Sequence, residues 1–432
     1  MKIIQKQLDN GLTVLLIPID WVHTINECFA VGAGSRYEIK GTYGISHLLE
    51  HMAFEGTKKR PSARDFAAEI ENRGGGNFNA ATDSGSISYW CQLPIMSLTF
   101  SSRLINDIIS DEILNSTMEK SVLEKEKGVI VQELYRKIDD PRDFTQGILW
   151  PRLLYGDHPL GQSGCGAKED IPNISRKDIL SYVKDLYVAP NSVVSLSGKM
   201  DVQRVLNDVD TCFGGLSPRL PKRKKPPYEE RQNSPKLSLE TRETSQTSIA
   251  LGVKTHPIFC DSPDWAAVRL LDNVLGGKTS SRLYHEIRTK RGWAYEVETE
   301  SSFYSDSGYF MAYAAVDKSK VLESIRIILK EFQKIASQGV SEKELKGAKA
   351  NIAGGQKILL DDPLAIAKGV AEEFITSREV IDFEKRLNEF RIITPQDVKR
   401  VAEEIFTSER LNLAVLGPAQ LEADKLYDIL RI

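Results

Sequence analysis

Three residues within five positions carry the clearest chemistry in this chain: His47, Glu50 and His51, in the stretch Gly44-Ile45-Ser46-His47-Leu48-Leu49-Glu50-His51-Met52. Read as a helix, the stretch divides into two faces. Ile45, Leu48, Leu49 and Met52 fall at i, i+3, i+4 and i+7 and form one apolar stripe. His47, Glu50 and His51 lie on the other side, within one turn of each other. Two imidazoles at i and i+4 can reach one metal ion. A carboxylate between them can touch water on that ion without being a ligand. Neutral nitrogen ligands, an open coordination position and an adjacent base are what zinc-assisted hydrolysis requires. The order His-x-x-Glu-His is itself a known inverted zinc-site pattern. The bland alternative is a polar helix face with ordinary histidines, but the chain has only six histidines and two of them stand here.

Two histidines leave a zinc site one ligand short. Further along, a helix expected at about 117–138 carries Glu124, Glu126 and Glu133. Glu126 and Glu133 are seven apart, so they share a helix face two turns apart. His₂Glu is an established catalytic ligand set. Glu133 is therefore the expected third ligand, and Glu126 the carboxylate that hydrogen-bonds a ligating histidine from behind.

The elements that position these residues can be followed along the chain. Residues 2–7 and 12–18 read as a hairpin around Asn10-Gly11, and Glu27 to Gly32 as a further strand. A helix is expected over 62–73, with Ser62 as N-cap and Asp65 three residues on. Gly74-Gly75-Gly76 stops it. The triplet lacks the lysine and hydroxyl residue of a phosphate loop, which excludes nucleotide binding on this motif. A strand follows over Ser84–Gln92, then helices at about 96–112, 142–154 and 175–187, and a strand over Ser192–Gly198. His158, in a Gly/Pro-rich loop, reads as an ordinary loop histidine.

The 432 residues suggest two or more domains, and 41% hydrophobic composition suffices for sizeable cores. Net charge is −3, which favours neither nucleic acid nor an acidic surface. The five cysteines, Cys28, Cys91, Cys165, Cys212 and Cys260, are scattered and contain no Cys-x-x-Cys pair. Reduced, mostly buried thiols fit best. No run reaches the length of a membrane span, and the first residues lack a signal-peptide core, so a cytoplasmic location without membrane association is expected. Leu216–Pro227 holds four prolines and five basic residues in twelve positions. It reads as a solvated linker, and no base-reading motif accompanies it, so nucleic-acid binding is excluded.

The second half repeats the first. Ala30-Val31-Gly32 precedes His47–His51, and Ala250-Leu251-Gly252 precedes Arg269-Leu270-Leu271-Asp272-Asn273, an offset of 222 (269 − 47). The ends match as well, Ser197-Gly198 against Leu416-Gly417, an offset of 219 (417 − 198). A duplication explains both. In the second copy Arg269, Asp272 and Asn273 replace the zinc-site residues while Leu270, Leu271 and Val274 stay apolar. One half should be catalytic and the other a scaffold or substrate wall. The expected division is a zinc-bearing domain over 1–215, a linker over 216–230 and a homologous domain over 231–432. The second half still offers Arg288 and Tyr295, a cation and a phenol able to stabilise an oxyanion.

His47 through Arg60 resembles the signature of the pitrilysin-like (insulinase, M16) zinc metallopeptidases. Within that family the resemblance points to the branch of the mitochondrial processing peptidase β-subunit and its short-chain prokaryotic relatives. Asn79-Ala80, Glu126 to Glu133, His158-Pro159-Leu160-Gly161 and Arg288 to Tyr295 match too. The resemblance implies an α+β fold of two homologous α/β-roll domains, each an antiparallel-rich sheet with helices on one face, forming a half-clamshell. It implies one zinc per chain on His47, His51 and Glu133, Glu50 as general base, Glu126 behind a ligand, and Arg288 and Tyr295 contributed by the second half. It implies a zinc endopeptidase that cleaves peptides or unfolded polypeptides in a closed chamber, as a homodimer or a heterodimer with a related chain. Substrate would add as a strand at the segment from Asn79 to Trp90, with Asn79 and Ala80 as binding residues. The alternative is a non-catalytic structural or peptide-binding subunit of a heterodimer.

Overall fold

The computed structural model describes residues 1–259, 262–380, 382–418 and 421–432; Cys260 lies outside them. Two compact units emerge, and they do not coincide with the two halves of the sequence. The first comprises residues 1–134, 163–226 and 356–383, and the second residues 135–162, 227–355 and 384–432. The halves thus exchange one segment each. The exchanged pieces sit at the same place in the repeat, displaced by 221 positions (356 − 135 and 383 − 162).

The first unit holds a six-stranded sheet built from β1 (Ile4–Gln7), β2 (Thr13–Pro18), β3 (Thr24–Val31), β4 (Asn77–Thr82), β5 (Ile87–Pro94) and β6 (Ser192–Gly198), in the order β1-β2-β6-β3-β5-β4. The β2–β6 pairing is parallel and the others antiparallel. The second unit holds β7 (Lys236–Thr241), β8 (Thr247–Thr255), β9 (Ala294–Phe303), β10 (Gly308–Val316) and β11 (Leu411–Gly417), in the order β7-β11-β8-β10-β9. Apart from β1 the two orders are identical, with the parallel pair again at β7–β11. The duplication read from short sequence matches is therefore a duplication of topology.

Each sheet is covered on both faces. Helices of its own half take one face, as expected. The other face receives the exchanged helix. In the first unit Cys28, Ala30, Trp90 and Val193 pack against Leu364, Ala367, Ala371 and Phe374 of the Pro363–Ser377 helix. In the second, Ala250, Met311, Tyr313 and Ala414 pack against Trp150, Leu154 and Tyr155. The central strands β3, β6, β8 and β11 are accordingly buried along almost their whole length.

Four helices matter for the site: α1 (Ile45–Ala53), α2 (Ala63–Glu71), α3 (Leu98–Asn115) and α4 (Lys120–Asp139). Ser62 caps α2 by accepting from Asp65 N–H, as the sequence suggested. The 142–154 helix begins at Pro141 and is broken by a π-turn over Thr145–Leu149. The segment 216–227 has no regular structure, yet it is not a free linker. Ala189 N–H donates to Ser217 O, Lys222 N–H donates to Asp185 O, and Arg223 pairs with Asp185 at 3.2 Å. Residues 216–226 belong to the first unit, where Ala189 N–H and Asp185 meet them. No described helix is long and apolar enough to cross a membrane. None of the four described cysteines is in a disulfide.

Candidate metal centre

Helix α1 places the pair of histidines as its pattern predicted. Ile45, Leu48, Leu49 and Met52 are buried, and His47, Glu50 and His51 occupy the opposite, partly open face. The two imidazole rings stand edge to face, with centroids 4.7 Å apart. Helix α4 brings the carboxylates. Glu133 Oε2 lies 3.5 Å from His47 Nε2, and Glu133 Oε1 lies 3.7 Å from His51 Nε2. These separations exceed those of a hydrogen bond. They suit a shared cation: ligand atoms about 2.1 Å from one tetrahedral centre lie about 3.4 Å apart. Two imidazole nitrogens and a carboxylate are also the donor types zinc favours, so the residues fit the ion.

Glu126 is buried one step behind. Its Oε2 is 3.1 Å from His51 Nδ1, and its Oε1 is 3.0 Å from Lys125 Nζ. With Glu126 as the acceptor, the His51 proton sits on Nδ1 and the Nε2 lone pair turns toward Glu133.

Glu50 takes no part in that cluster. Its Oε2 accepts from Thr82 Oγ1 at 2.5 Å. Burial raises its pKa above the ordinary glutamate value, while the Thr82 hydroxyl, the nearby His51 imidazole and the Thr82 backbone N–H pull the other way and Glu133 adds to the rise. A carboxylate so placed is a stronger proton acceptor than one in water.

The strand expected from Asn79 to Trp90 is instead a hairpin. β4 ends at Thr82, residues 83–86 turn, and β5 begins at Ile87. Asp83 and Gly85 explain the break, since neither suits a strand interior. Among the described residues β4 pairs only with β5, so it is the edge of the sheet. Asn79 is exposed and Ala80 buried on that edge strand. Ala80 N–H is met by the Asn79 side chain at 2.9 Å, and Thr82 N–H by Glu50.

Arg288 and Tyr295 belong to the second unit, on the Tyr284–Thr289 helix and on β9. Arg288 donates to Tyr295 O at 2.7 Å and stacks 4.4 Å over the Tyr295 ring, whose residue is 72% exposed. His158 accepts from Leu160 N–H, an ordinary loop contact.

Sequence inspection missed three residues around the cluster. Thr82 fixes Glu50. Glu38 receives the start of α1. The Cys165 thiol lies with donor atoms of His47 and Glu133 inside a common 4.8 Å span. All three are distant in sequence or held by loops, so no spacing rule reveals them.

Residues 23–153 match the family model described as insulinase (peptidase family M16), and residues 173–352 the one described as peptidase M16 inactive domain. An uncharacterized zinc protease of Mycobacterium leprae is 30% identical over 414 residues, which cover 95% of this chain and 91% of that protein. The chain belongs to the M16 peptidase family. A second relative, an uncharacterized zinc protease of Bacillus subtilis, is 28% identical over 416 residues, 95% of this M16 chain and 97% of the other. The crystal structure of a protease from Helicobacter pylori has the same fold, with a TM-score of 0.88 at 23% identity, covering 96% of this chain and 99% of that one. Within this M16 member the stretch matching the inactive-domain description includes Arg269, Asp272 and Asn273, which stand where the first half has His47, Glu50 and His51.

Proposed function

We propose that the protein is a zinc-dependent endopeptidase acting on peptides or unfolded polypeptides, with His47, His51 and Glu133 as ligands and Glu50 as general base. One observation carries this: a single carboxylate, Glu133, stands 3.5 and 3.7 Å from the two histidine nitrogens while Glu50 is held apart by Thr82. A zinc ion held by those three residues would supply a Lewis acid and would make water acidic enough to lose a proton near neutral pH. Glu50 accepts that proton as the water oxygen attacks the scissile carbonyl, and returns it to the departing amine nitrogen. Glu126 keeps His51 in the tautomer that offers Nε2.

The edge strand β4 supports an extended substrate. Its outward N–H groups at Ala80 and Thr82 are satisfied by side chains rather than by a neighbouring strand, so an incoming peptide carbonyl could replace the Asn79 oxygen at Ala80 N–H. The relatives' names support the protease class and zinc. A homodimer, or a pair with a related chain, and a cytoplasmic location are part of the same proposal. The intact ligand set weighs against a non-catalytic subunit.

The test is metal content together with cleavage of a quenched fluorogenic peptide library by the purified chain, beside Glu50→Gln. About one zinc per chain, with turnover that disappears in the variant, is the expected result. Zinc without turnover in the lone chain, restored by a related chain, identifies the heterodimer. A chain that binds no zinc sinks the proposal.

A further inference from the structure

We propose that Glu38 is a positioning residue for the metal centre: its buried carboxylate is the N-terminal cap that α1 cannot supply for itself, and it thereby fixes the histidine pair against α4. The proposal deepens the zinc-site reading and rests on it.

An α-helix leaves its first N–H groups without intrahelical partners, and a Ser, Thr, Asp or Asn at the N-cap usually accepts from one of them. Helix α1 has Gly44 there, at φ 101°, with no side chain to cap it. No other residue fits. The backbone lies in the left-handed region, and a Cβ on Gly44 would stand 2.9 Å from Cys165 O and 3.0 Å from Gly166 Cα. The helix start is wedged against the 165–166 segment, which excludes a local cap.

The unpaired donors are met from a distance. Gly44 N–H donates to Glu38 Oε2 at 2.8 Å, Ser46 N–H donates to Oε1 at 2.9 Å, and the Ser46 hydroxyl donates to the same Oε1. Ile45 N–H goes to Thr42 O at 3.1 Å. Glu38 is 1% exposed. Its carboxyl oxygens face the positive end of the helix. Burial lifts its pKa to about 7 against those three hydrogen bonds. A carboxylate stripped of water stays only where donors meet it closely, so the arrangement tolerates little displacement.

The surroundings hold the cap in turn. Tyr182 Oη accepts from Gly34 N–H at 2.8 Å and lies 3.4 Å from Ser46 Oγ. Arg223, from the basic segment, stacks 5.1 Å over the Tyr182 ring. Asp170 Oδ2 accepts from Gly41 N–H and Tyr43 N–H, at 3.0 and 3.1 Å. His47 is the residue after Ser46. A shift at the helix start therefore moves His47 Nε2 relative to Glu133, and metal sites tolerate about 0.5 Å.

Glu38→Gln is the variant of choice. It keeps the volume but turns an NH₂ group toward one of the two backbone donors. Zinc affinity, read by competition with a chromophoric chelator, should weaken about tenfold to a hundredfold. The kcat should fall while KM changes little. Wild-type zinc affinity and kcat, with only a lower melting temperature, would reduce Glu38 to an ordinary structural contact and overturn the proposal. If the variant does not accumulate as folded protein, Ser46→Ala removes only the hydroxyl donor and is read in the same way, with a smaller loss of affinity expected and an unchanged affinity overturning it. Zinc affinity needs no substrate. A wild-type chain that binds zinc but cleaves nothing thus refutes the peptidase reading and leaves the Glu38 test intact.

Discussion

The two copies of one helix-and-edge-strand unit have kept the same frame and different chemistry. In the first, Glu50 on α1 accepts from Thr82 on edge strand β4. In the second, Asp272 on the Pro263–Leu275 helix accepts from Thr299 on edge strand β9, also at 2.5 Å. The carboxylate-to-strand clamp therefore belongs to the fold, and the proposed general base uses it in one copy. What differs is the neighbouring residue. His51 meets the Glu126 carboxyl and faces Glu133, whereas Asn273 donates to Asn351 Oδ1 at 2.7 Å. A neutral amide pair replaces a cluster of two imidazoles and two carboxylates. Arg269, 3.8 Å from Asp272, puts a fixed positive charge where the first copy has His47. A cation site needs ligands whose charge is uncompensated until the ion arrives. The second copy has compensated its own.

Substitutions that copy one site into the other probe this contrast. His51→Asn should have the largest effect, with zinc retained at under a tenth of wild type by atomic absorption and turnover lost. Glu50→Gln should leave zinc bound and lower kcat about 10³-fold, whereas the paired change Asp272→Asn should alter kcat less than about twofold. Equal losses in the two variants would mean that the copies do not differ in role. Tyr295→Phe tests the assignment that the family resemblance gives to the second half. It should lower kcat about 10- to 100-fold at unchanged zinc content, and wild-type kcat would remove Tyr295 from the chemistry. Glu126→Gln can hydrogen-bond His51 but lacks the charge, and chelator competition should show zinc held about tenfold more weakly.

The smallest effect is one of pH. Burial raises the Asp272 pKa to about 6 against hydrogen bonds from Thr299 and the charge of Arg269. A carboxyl whose folded value lies above its unfolded value near 4 contributes stability below that unfolded value and loses it as pH rises through about 6. The contribution is at most about 3 kcal/mol. The melting temperature should accordingly fall between pH 4 and pH 7 by less in Asp272→Asn than in wild type. An identical fall would show that Asp272 does not titrate in this window.

Most of the site was legible because local periodicity encodes it. The i, i+3, i+4 stripe of Ile45, Leu48 and Met52 buries one face of α1 and leaves His47 and His51 together on the other. The seven-residue spacing of Glu126 and Glu133 does the same on α4. Strand β6 and the Ser62 cap were readable for the same reason. The resemblance reads Asn79 to Trp90 as one strand, although Asp83-Ser84-Gly85 carries the turn signal that separates β4 from β5. The basic segment reads as solvated from sequence, since nothing local shows that Asp185 and Tyr182 await Arg223.

The sequence by itself determined which side chains have the chemistry of metal ligands, which half carries them, and that the chain is a duplication. These depend on identity and spacing within a single helix, where geometry follows from 3.6 residues per turn. Only the tertiary structure decided that Glu133 reaches both histidines, that Thr82 holds Glu50 aside, that Glu38 caps α1, and that each unit's sheet is closed by a helix from the other half. Those contacts join residues from about 6 to more than 300 positions apart. Their distances are set by how sheets and helices pack, which no local pattern contains.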